Sequence, residues 1–398
     1  MYTELRLVRV VLFAFYPLTT ACSSCNGGSN ISDDGGSDAD ADTDADTDAD
    51  IDADSDIDTD VDTDVDTDTD SDSDIIWGDT TPCVNEPRPG EVCIPGGNYL
   101  MGCMPGDTEC EDNEKPLVMP TLSPFFIEEK EATIEDVLVW LNVIKSDPEI
   151  VQYPTGITWT DGTNERRLWS IQWVWGSVDS GEYEEPGIQN GDGDYVFNTA
   201  AEDECPNQGG QYAAAGGFSW LGAKMYCEWK GMQLPTEAQW EAAARGQTTN
   251  VFPCGSDLAE CWYGVYACCN ETETCYGSYS NLCHCCAPFS SDWADDCISP
   301  FGLYGMYGNA DEWTSDYYTP DHSACVGGCA DPQQTESPGS GVGHVHKGGG
   351  VYGLDQSWLR SSIRWDGEGD DGGSMMGVRC ARADEPFVMP DAGADSGK

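Results

Sequence analysis

Twenty cysteines, four histidines and 73 carboxylates are the residues of this 398-residue chain that could do chemistry, and their spacing narrows which chemistry. Nine of the cysteines fall between Cys254 and Cys297, with Cys268-Cys269 and Cys283-x-Cys285-Cys286 among them. In a reducing compartment this pattern would read as a zinc knot. In an oxidising one it reads as a disulfide-stapled loop, because oxidation removes the thiolates that a metal needs. From Cys83 onward there are 18 cysteines, an even number that allows complete pairing. His344 and His346 alternate on a predicted strand, so they share a face either as a two-ligand metal site or as two polar surface residues. Gly217-Phe218-Ser219-Trp220-Leu221-Gly222 is displaced by one position from a nucleophile elbow and is read as structural. The sequence contains no phosphate-cradling loop, and paired carboxylates carry no signal where acids are this abundant.

Composition limits the partners. Seventeen basic residues against 73 acidic ones give a net charge of −56, which excludes a phosphate-tracking nucleic-acid binder and docking by charge on an anionic membrane. Cations and basic surfaces remain. The number of cysteines points to an oxidising compartment. The N-terminus agrees: Arg6 and Arg9 precede a short apolar run, Val10–Leu18, too short to span a bilayer and suited to a signal peptide over residues 1–21. Thr19-Thr20-Ala21-Cys22 resembles a bacterial lipobox, with cleavage before Cys22 and lipid on its sulfur; it departs from the pattern in having Thr19 where leucine is usual. Export to the cell envelope, with a lipid anchor at Cys22 as the sole membrane attachment, is the expected localisation. Ser23 is compatible with sorting to the outer membrane.

Between Asp38 and Asp74 every even-numbered residue is Asp, alternating with Ala, Thr, Ser, Val or Ile. One face of such a strand would be all carboxylate and the other too small to form a core, so residues 22–76 are expected to be an extended, disordered tether. Fully stretched, the Asp tract would reach on the order of 120 Å. The alternative is a calcium-ordered rod, although the tract lacks the glycines that let calcium-repeat loops turn around an ion.

After Trp77 the composition becomes globular, and the elements that would position a site can be placed. Ile94-Pro95-Gly96-Gly97-Asn98-Tyr99-Leu100-Met101-Gly102 reads as a turn and a short strand. Ile134, Val137, Leu138, Leu141 and Ile144 mark one face of a helix, and Trp220, Ala223 and Cys227 mark another. Thr236 and Gln239 form a capping box behind Pro235, and Gly246 follows the last turn, which predicts a helix over 237–245. The stretch from 146 to 211 reads as a folded insertion whose aromatic core, Leu168 to Trp175, is strand-like.

Four blocks in this order, IPGGNYLMG (94–102), GFSWLGAKMYCEWKGMQLPTEAQWEAAARG (217–246), FGLYGMYGNADEWTSDYY (301–318) and KGGGVYGLDQSWLRSSIRW with MGVRCAR (347–382), resemble the formylglycine-generating, or sulfatase-modifying factor, family. The resemblance implies an α+β fold over residues 77–385, irregular, poor in regular secondary structure, disulfide-rich and related to C-type lectin domains, followed by a disordered tail at 386–398. It also implies a site. In the family's oxidase two nearby cysteines just after a Gly-Gly-Ser turn bind copper(I) as thiolates, and a substrate cysteine is oxidised with oxygen; soft thiolates are needed because they prefer copper(I). Here the turn is Gly348-Gly349-Gly350, and the two positions fall near Gly353 and at Ser357 or Trp358. No cysteine occurs between Cys329 and Cys380, and the tryptophan usual before Glu312 is replaced by Asp311. Copper is therefore not expected. A further branch uses histidine-held iron in the presence of a second, histidine-rich domain; this sequence offers only His284, His322, His344 and His346, of which His344 and His346 would suffice for a weak two-ligand site.

By the same resemblance Gly308, Ala310 and Glu312 would hold a calcium ion, with a further side-chain ligand lost at Gly305. Asn281 and the Leu282 carbonyl would belong to a second ion. Cys227 and Cys380 match positions bridged in the family, while a second bridge has lost both partners, to Ala244 and a residue near Ile363. The leading expectation is a surface-tethered, non-enzymatic domain that binds a peptide, protein or glycan in the groove the oxidase uses for its substrate. The alternatives are a copper-dependent oxidase of protein cysteines, rescued by another cysteine pair, and a structural envelope protein that gathers calcium on its acidic tract.

Overall fold

The computed structural model describes residues 75, 77–153, 156–170, 187–189, 194–197, 210–256, 297–350, 356–367, 373 and 376–385. The chain divides into units 1–71 and 72–398, and every described residue lies in the second. Cys22, the Asp tract to Asp74, Asn281, Leu282, Gly353 and the cysteines between Cys254 and Cys297 fall outside the described residues.

Sequence-distant ends of the domain meet in one small sheet. Strand β1 (Glu91–Ile94) leads through the Pro95-Gly96 turn to β2 (Gly97–Asn98), which pairs with β3 (Thr121–Leu122). Strand β4 (Phe125–Glu128) runs antiparallel to β1, in the register Glu91↔Glu128, and to a strand over Ala381–Ala383 on its other side. All four β4 residues are buried, as a central strand covered on both faces requires.

Helix α1 (Ile134–Ile144) starts at the Thr133 capping box, in which the Thr133 hydroxyl accepts the Asp136 N–H. The predicted face is the buried one: Ile134, Val137, Leu138 and Leu141 are buried, joined by Trp140. The inserted stretch forms a meander, β5 (Ile150–Tyr153), β6 (Gly156–Thr160) and β7 (Glu165–Ser170), and a small pair, β8 (Gly187–Gln189) with β9 (Tyr195–Phe197). Leu168 and Trp169 of β7 are in the core, so the aromatic run is strand up to Ser170.

Helix α2 (Trp220–Trp229) packs on β7 and is capped by Ser219, whose hydroxyl accepts the Gly222 N–H and donates to the Arg167 carbonyl. That assigns the near-elbow serine to capping. The contact between α2 and β7 is close enough that a Cβ on Gly222 would lie 1.8 Å from the Leu168 carbonyl oxygen. Gly222→Ala is thus expected to lower unfolding stability by about 3 kcal/mol, at the upper end for an overpacked core. Urea titration checks it, and an unchanged midpoint would show that α2 can shift freely. Helix α3 (Glu237–Arg245) has the predicted bounds, with the Thr236–Gln239 capping box at its start and Gly246 at φ 67° as its stop.

The second large sheet carries the candidate site. Its strands are β10 (Asp311–Tyr317), β11 (His344–Lys347), β12 (Trp365–Gly367) and β13 (Met376–Gly377), in the order β12-β11-β10-β13. Strand β14 (Ala381–Ala383) then returns the chain to β4. The fold is α+β, with short elements, many left-handed glycines and five disulfides among the described residues.

Candidate functional site

Strands β10 and β11 present two different faces. On the inner face Glu312, Thr314 and Asp316 point into the domain, where the charges are paired. The Glu312 carboxylate accepts from the Arg379 guanidinium at 2.8 and 3.1 Å and from the Trp240 indole N–H at 2.6 Å; all three side chains are fully buried. Arg379 also donates to the Glu128 and Tyr304 carbonyls. Burial works against its charge, but Glu312 and Glu131 more than compensate and raise its pKa.

Three further buried pairs extend this pattern. Arg360 makes a bidentate contact with Glu114, at 2.5 and 2.7 Å, and reaches Asp107 at 3.2 Å. Arg364 holds Glu237 through two bonds of 2.7 Å. Lys347 meets Glu241 at 2.9 Å, and Glu241 also accepts the Gly102 N–H. Burial alone would push the Glu237 carboxyl up; the Arg364 guanidinium, with His322 and Lys347, more than reverses this and holds it far below the usual range. Its neighbour Asp316 goes the other way, pushed up to about 6 by burial and by the charge of Glu237. Asp316 is bound structurally, accepting the Glu237 and Gln334 N–H groups.

The predicted calcium ligands come together, but their donor set does not fit the ion. Gly308, Asn309 and Ala310 form a tight turn, with Gly308 at φ 86°, Asn309 at φ 69° and the Gly308 N–H bonded to the Gly348 carbonyl. Glu312 stands next to them, but its four close contacts to Arg379 and Trp240 match the roughly four acceptor positions of a carboxylate. The space released by the missing side chain at Gly305 is filled by Glu131, whose Oε2 would lie 2.2 Å from a Cβ there. Glu131 in turn accepts from Asn309 Nδ2 at 2.9 Å and sits 3.9 Å from Arg379. An internal guanidinium thus neutralises the carboxylates that would face a calcium ion, which takes six to eight oxygen ligands. Among the described residues no group of three or more His, Cys, Asp or Glu could hold a metal.

The glycine turn after β11 is where the resemblance would put oxidase chemistry. Gly348 and Gly349 adopt φ 101° and 68°, and a Cβ on Gly349 would lie 2.2 Å from the Trp358 carbonyl oxygen, so the glycine turn packs directly on the Trp358 backbone. Ser357 and Trp358 supply no thiolate there. Each cysteine among the described residues is bridged: Cys83–Cys93, Cys103–Cys110, Cys227–Cys380, Cys254–Cys297 and Cys325–Cys329. Ala244 and Ile363, near which the resemblance would put a second bridge, are both buried.

His344 and His346 do share a face, but aromatic rings occupy it with them. His344 is sandwiched between Trp220, stacked at 3.6 Å, and Tyr317 at 3.9 Å. His346 stands edge-on to Trp313 at 5.7 Å, with its Nδ1 3.4 Å from Asp311 Oδ1. Sequence reasoning missed the rest of this face. Trp365 is the cross-strand partner of His346, and its ring meets that of Trp358 at 5.4 Å and 74°. The available signal was Trp-x6-Trp on either side of Arg360 and Arg364, which reads as core until the two arginines are found to point inward.

Comparison with known proteins agrees with the geometry. A family model described as "Sulfatase-modifying factor enzyme 1-like domain" matches residues 79–384. The chain is 35% identical over 176 residues to the formylglycine-generating enzyme of Bos taurus, covering 41% of this chain and 42% of that protein, so the match spans less than half of the mammalian relative. The similarity to the formylglycine-generating enzyme of Thermomonospora curvata is lower, 26% over 315 residues, but covers 73% of this chain and 93% of that one. The chain is also 27% identical over 243 residues to the "Inactive C-alpha-formylglycine-generating enzyme 2" of Mus musculus, covering 58% and 70%. With one matched domain over residues 79–384 and the buried clamps that frame its sheet, the chain belongs to the sulfatase-modifying factor enzyme 1-like family.

Proposed function

We propose that this protein is a non-catalytic member of the family, exported and lipid-anchored at Cys22, that displays its domain on the acidic tether and binds a peptide, protein or glycan on the outer face of β10, β11 and β12. The observation that carries this reading is the state of the cysteines. The described ones are all bridged, and the positions that the resemblance gives to the copper-binding thiolates, near Gly353 and at Ser357 or Trp358, hold no cysteine. A relative whose name marks it as inactive shows that the family includes such members. The calcium expected from the resemblance is not part of the proposal, because the Glu312 carboxylate is already bound to Arg379 and Trp240.

The test is a count of free thiols on the full chain, by alkylation and intact mass after export to an oxidising compartment. It is paired with oxygen uptake in the presence of copper(I) and a cysteine-containing peptide. No labelled thiol within the domain and no oxygen uptake are expected. Two labelled cysteines near Gly350 and Trp358, together with conversion of the peptide cysteine, would replace this reading by the oxidase.

A further inference from the structure

The outer face carries a feature that binding by the backbone alone would not require. Trp358 is 37% exposed, and every other tryptophan among the described residues is buried or half-buried. Its ring and that of Trp365 meet at 74° with centroids 5.4 Å apart, so the two indoles form a corner. Trp365 is paired across the sheet with His346, and His346 with Trp313, which places all three on one face. Asp311 closes the row, two residues before Trp313 on the same side of β10, with its carboxylate 3.4 Å from His346 Nδ1. That nitrogen forms no hydrogen bond, and among the described residues it is the basic side-chain nitrogen that lies within 4.0 Å of Asp311.

The cations nearby point the other way. Lys347, Arg360, Arg364 and Arg379 are all buried and paired with the buried carboxylates of Glu241, Glu114, Glu237 and Glu312. That face is therefore left with the exposed Trp358 and the half-buried Trp365, His346 and Asp311, next to the buried Trp313 and His344, in a chain of net charge −56.

From this we infer that the Trp358–Trp365 corner, with Asp311, binds an alkylammonium group: the side chain of a lysine on a basic protein partner. The inference rests on the ligand-binding reading above and narrows its ligand. Three physical points favour this occupant. Tryptophan has the strongest cation–π attraction of the aromatic residues, and a corner of two rings covers a compact ammonium from two sides, whereas a planar guanidinium stacks on a single ring. Asp311 supplies the counter-charge. The acidic chain steers a basic protein toward it, an advantage that a neutral glycan does not receive.

The experiment uses the full chain and a short neutral-backbone peptide, acetyl-Gly-Gly-Lys-Gly-Gly-amide, followed by isothermal titration and by quenching of tryptophan fluorescence. The matched probe carries acetyl-lysine, which keeps the length and removes the charge. Two variants report on the site, Trp358→Ala and Asp311→Asn; both residues are at least partly exposed, and circular dichroism verifies that the variants fold. The acidic tether is common to all proteins in the series, so differences between them belong to the domain. The lysine peptide is expected to bind the parent about ten-fold or more tightly than Trp358→Ala and several-fold more tightly than Asp311→Asn, with little binding of the acetyl-lysine peptide. Equal affinity for both peptides, or equal affinity of parent and Trp358→Ala, would overturn the inference. A methyl glycoside that binds through Trp358 while the lysine peptide does not would also overturn it, yet leave the ligand-binding reading intact. Conversion of a cysteine peptide would instead remove that reading itself.

Discussion

Replacing both Cys227 and Cys380 by alanine is expected to cost about 5 kcal/mol, the largest single effect anticipated for the domain. The two residues are 153 positions apart and their Cα atoms are 5.4 Å apart, so the bridge closes a very long loop of the unfolded chain. Reopening that loop raises the entropy of the unfolded state, and the cost grows with the logarithm of loop length. The bridge also joins two structural units: Cys227 lies near the end of α2, and Cys380 immediately precedes β14, donating its N–H to Glu128 on β4. Both sulfurs are buried, so the paired alanines also leave a small cavity. Urea unfolding of the exported protein checks the prediction. A midpoint unchanged from the parent would mean that the inner core alone holds α2 to β4. Loss of the short bridge Cys83–Cys93, which spans 10 residues, should cost distinctly less and serves as the comparison.

Arg379→Met should destabilise the domain by about 3–5 kcal/mol, because it leaves Glu312 buried and charged without its partner. The guanidinium contributes five hydrogen bonds, three to Glu312 and one each to the Glu128 and Tyr304 carbonyls, and methionine can make none of them. A domain whose whole stability is on the order of 5–15 kcal/mol would then unfold close to working temperature. The companion variant separates a missing partner from a missing shape. Arg379→Met combined with Glu312→Leu removes both charges of this pair and leaves Glu131, 3.9 Å from Arg379 in the parent, as the buried carboxylate; such apolar replacements of a buried pair are often neutral or stabilising. The double variant is therefore expected to recover most of the loss in thermal unfolding. If it is as unstable as Arg379→Met alone, the bonds to the Glu128 and Tyr304 carbonyls, rather than the ion pair, hold this part of the fold. The same pair of variants bears on calcium. With Arg379 gone, Glu312 and Glu131 would lose the guanidinium that neutralises them, so added calcium should stabilise Arg379→Met and leave the parent unchanged.

Much of the scaffold was legible because it is decided by neighbours in sequence. The bounds of α3 follow from the Thr236–Gln239 box and from Gly246, since both signals act within one helical turn. The buried face of α1 follows from spacing alone. The site was only half legible. The absence of thiols near Gly350 can be read directly, since a residue type is either present or not. The fate of Glu312 could not be read. A carboxylate in a Gly-Asn turn looks like a metal ligand until Arg379, 67 positions away, is seen to hold it. His344 and His346 were correctly placed on one face by the two-residue period of a strand, but their stacking on Trp220, Tyr317 and Trp313 brings together residues from three separate segments.

The sequence by itself determined the family, the α+β class, the limits of α3 and the lack of a copper-binding thiol pair at the expected positions. Each of these depends on local pattern or on residue identity. Only the tertiary structure decided where the charges go, Arg360, Arg364, Arg379 and Lys347 onto Glu114, Glu237, Glu312 and Glu241, and that Trp358 and Trp365 meet edge to face while Asp311 meets His346. The physical reason is desolvation. A buried charge is tolerated only with a well-placed opposite charge, and that partner is chosen by which distant segments the fold brings within about 3 Å, a distance that no spacing along the chain encodes.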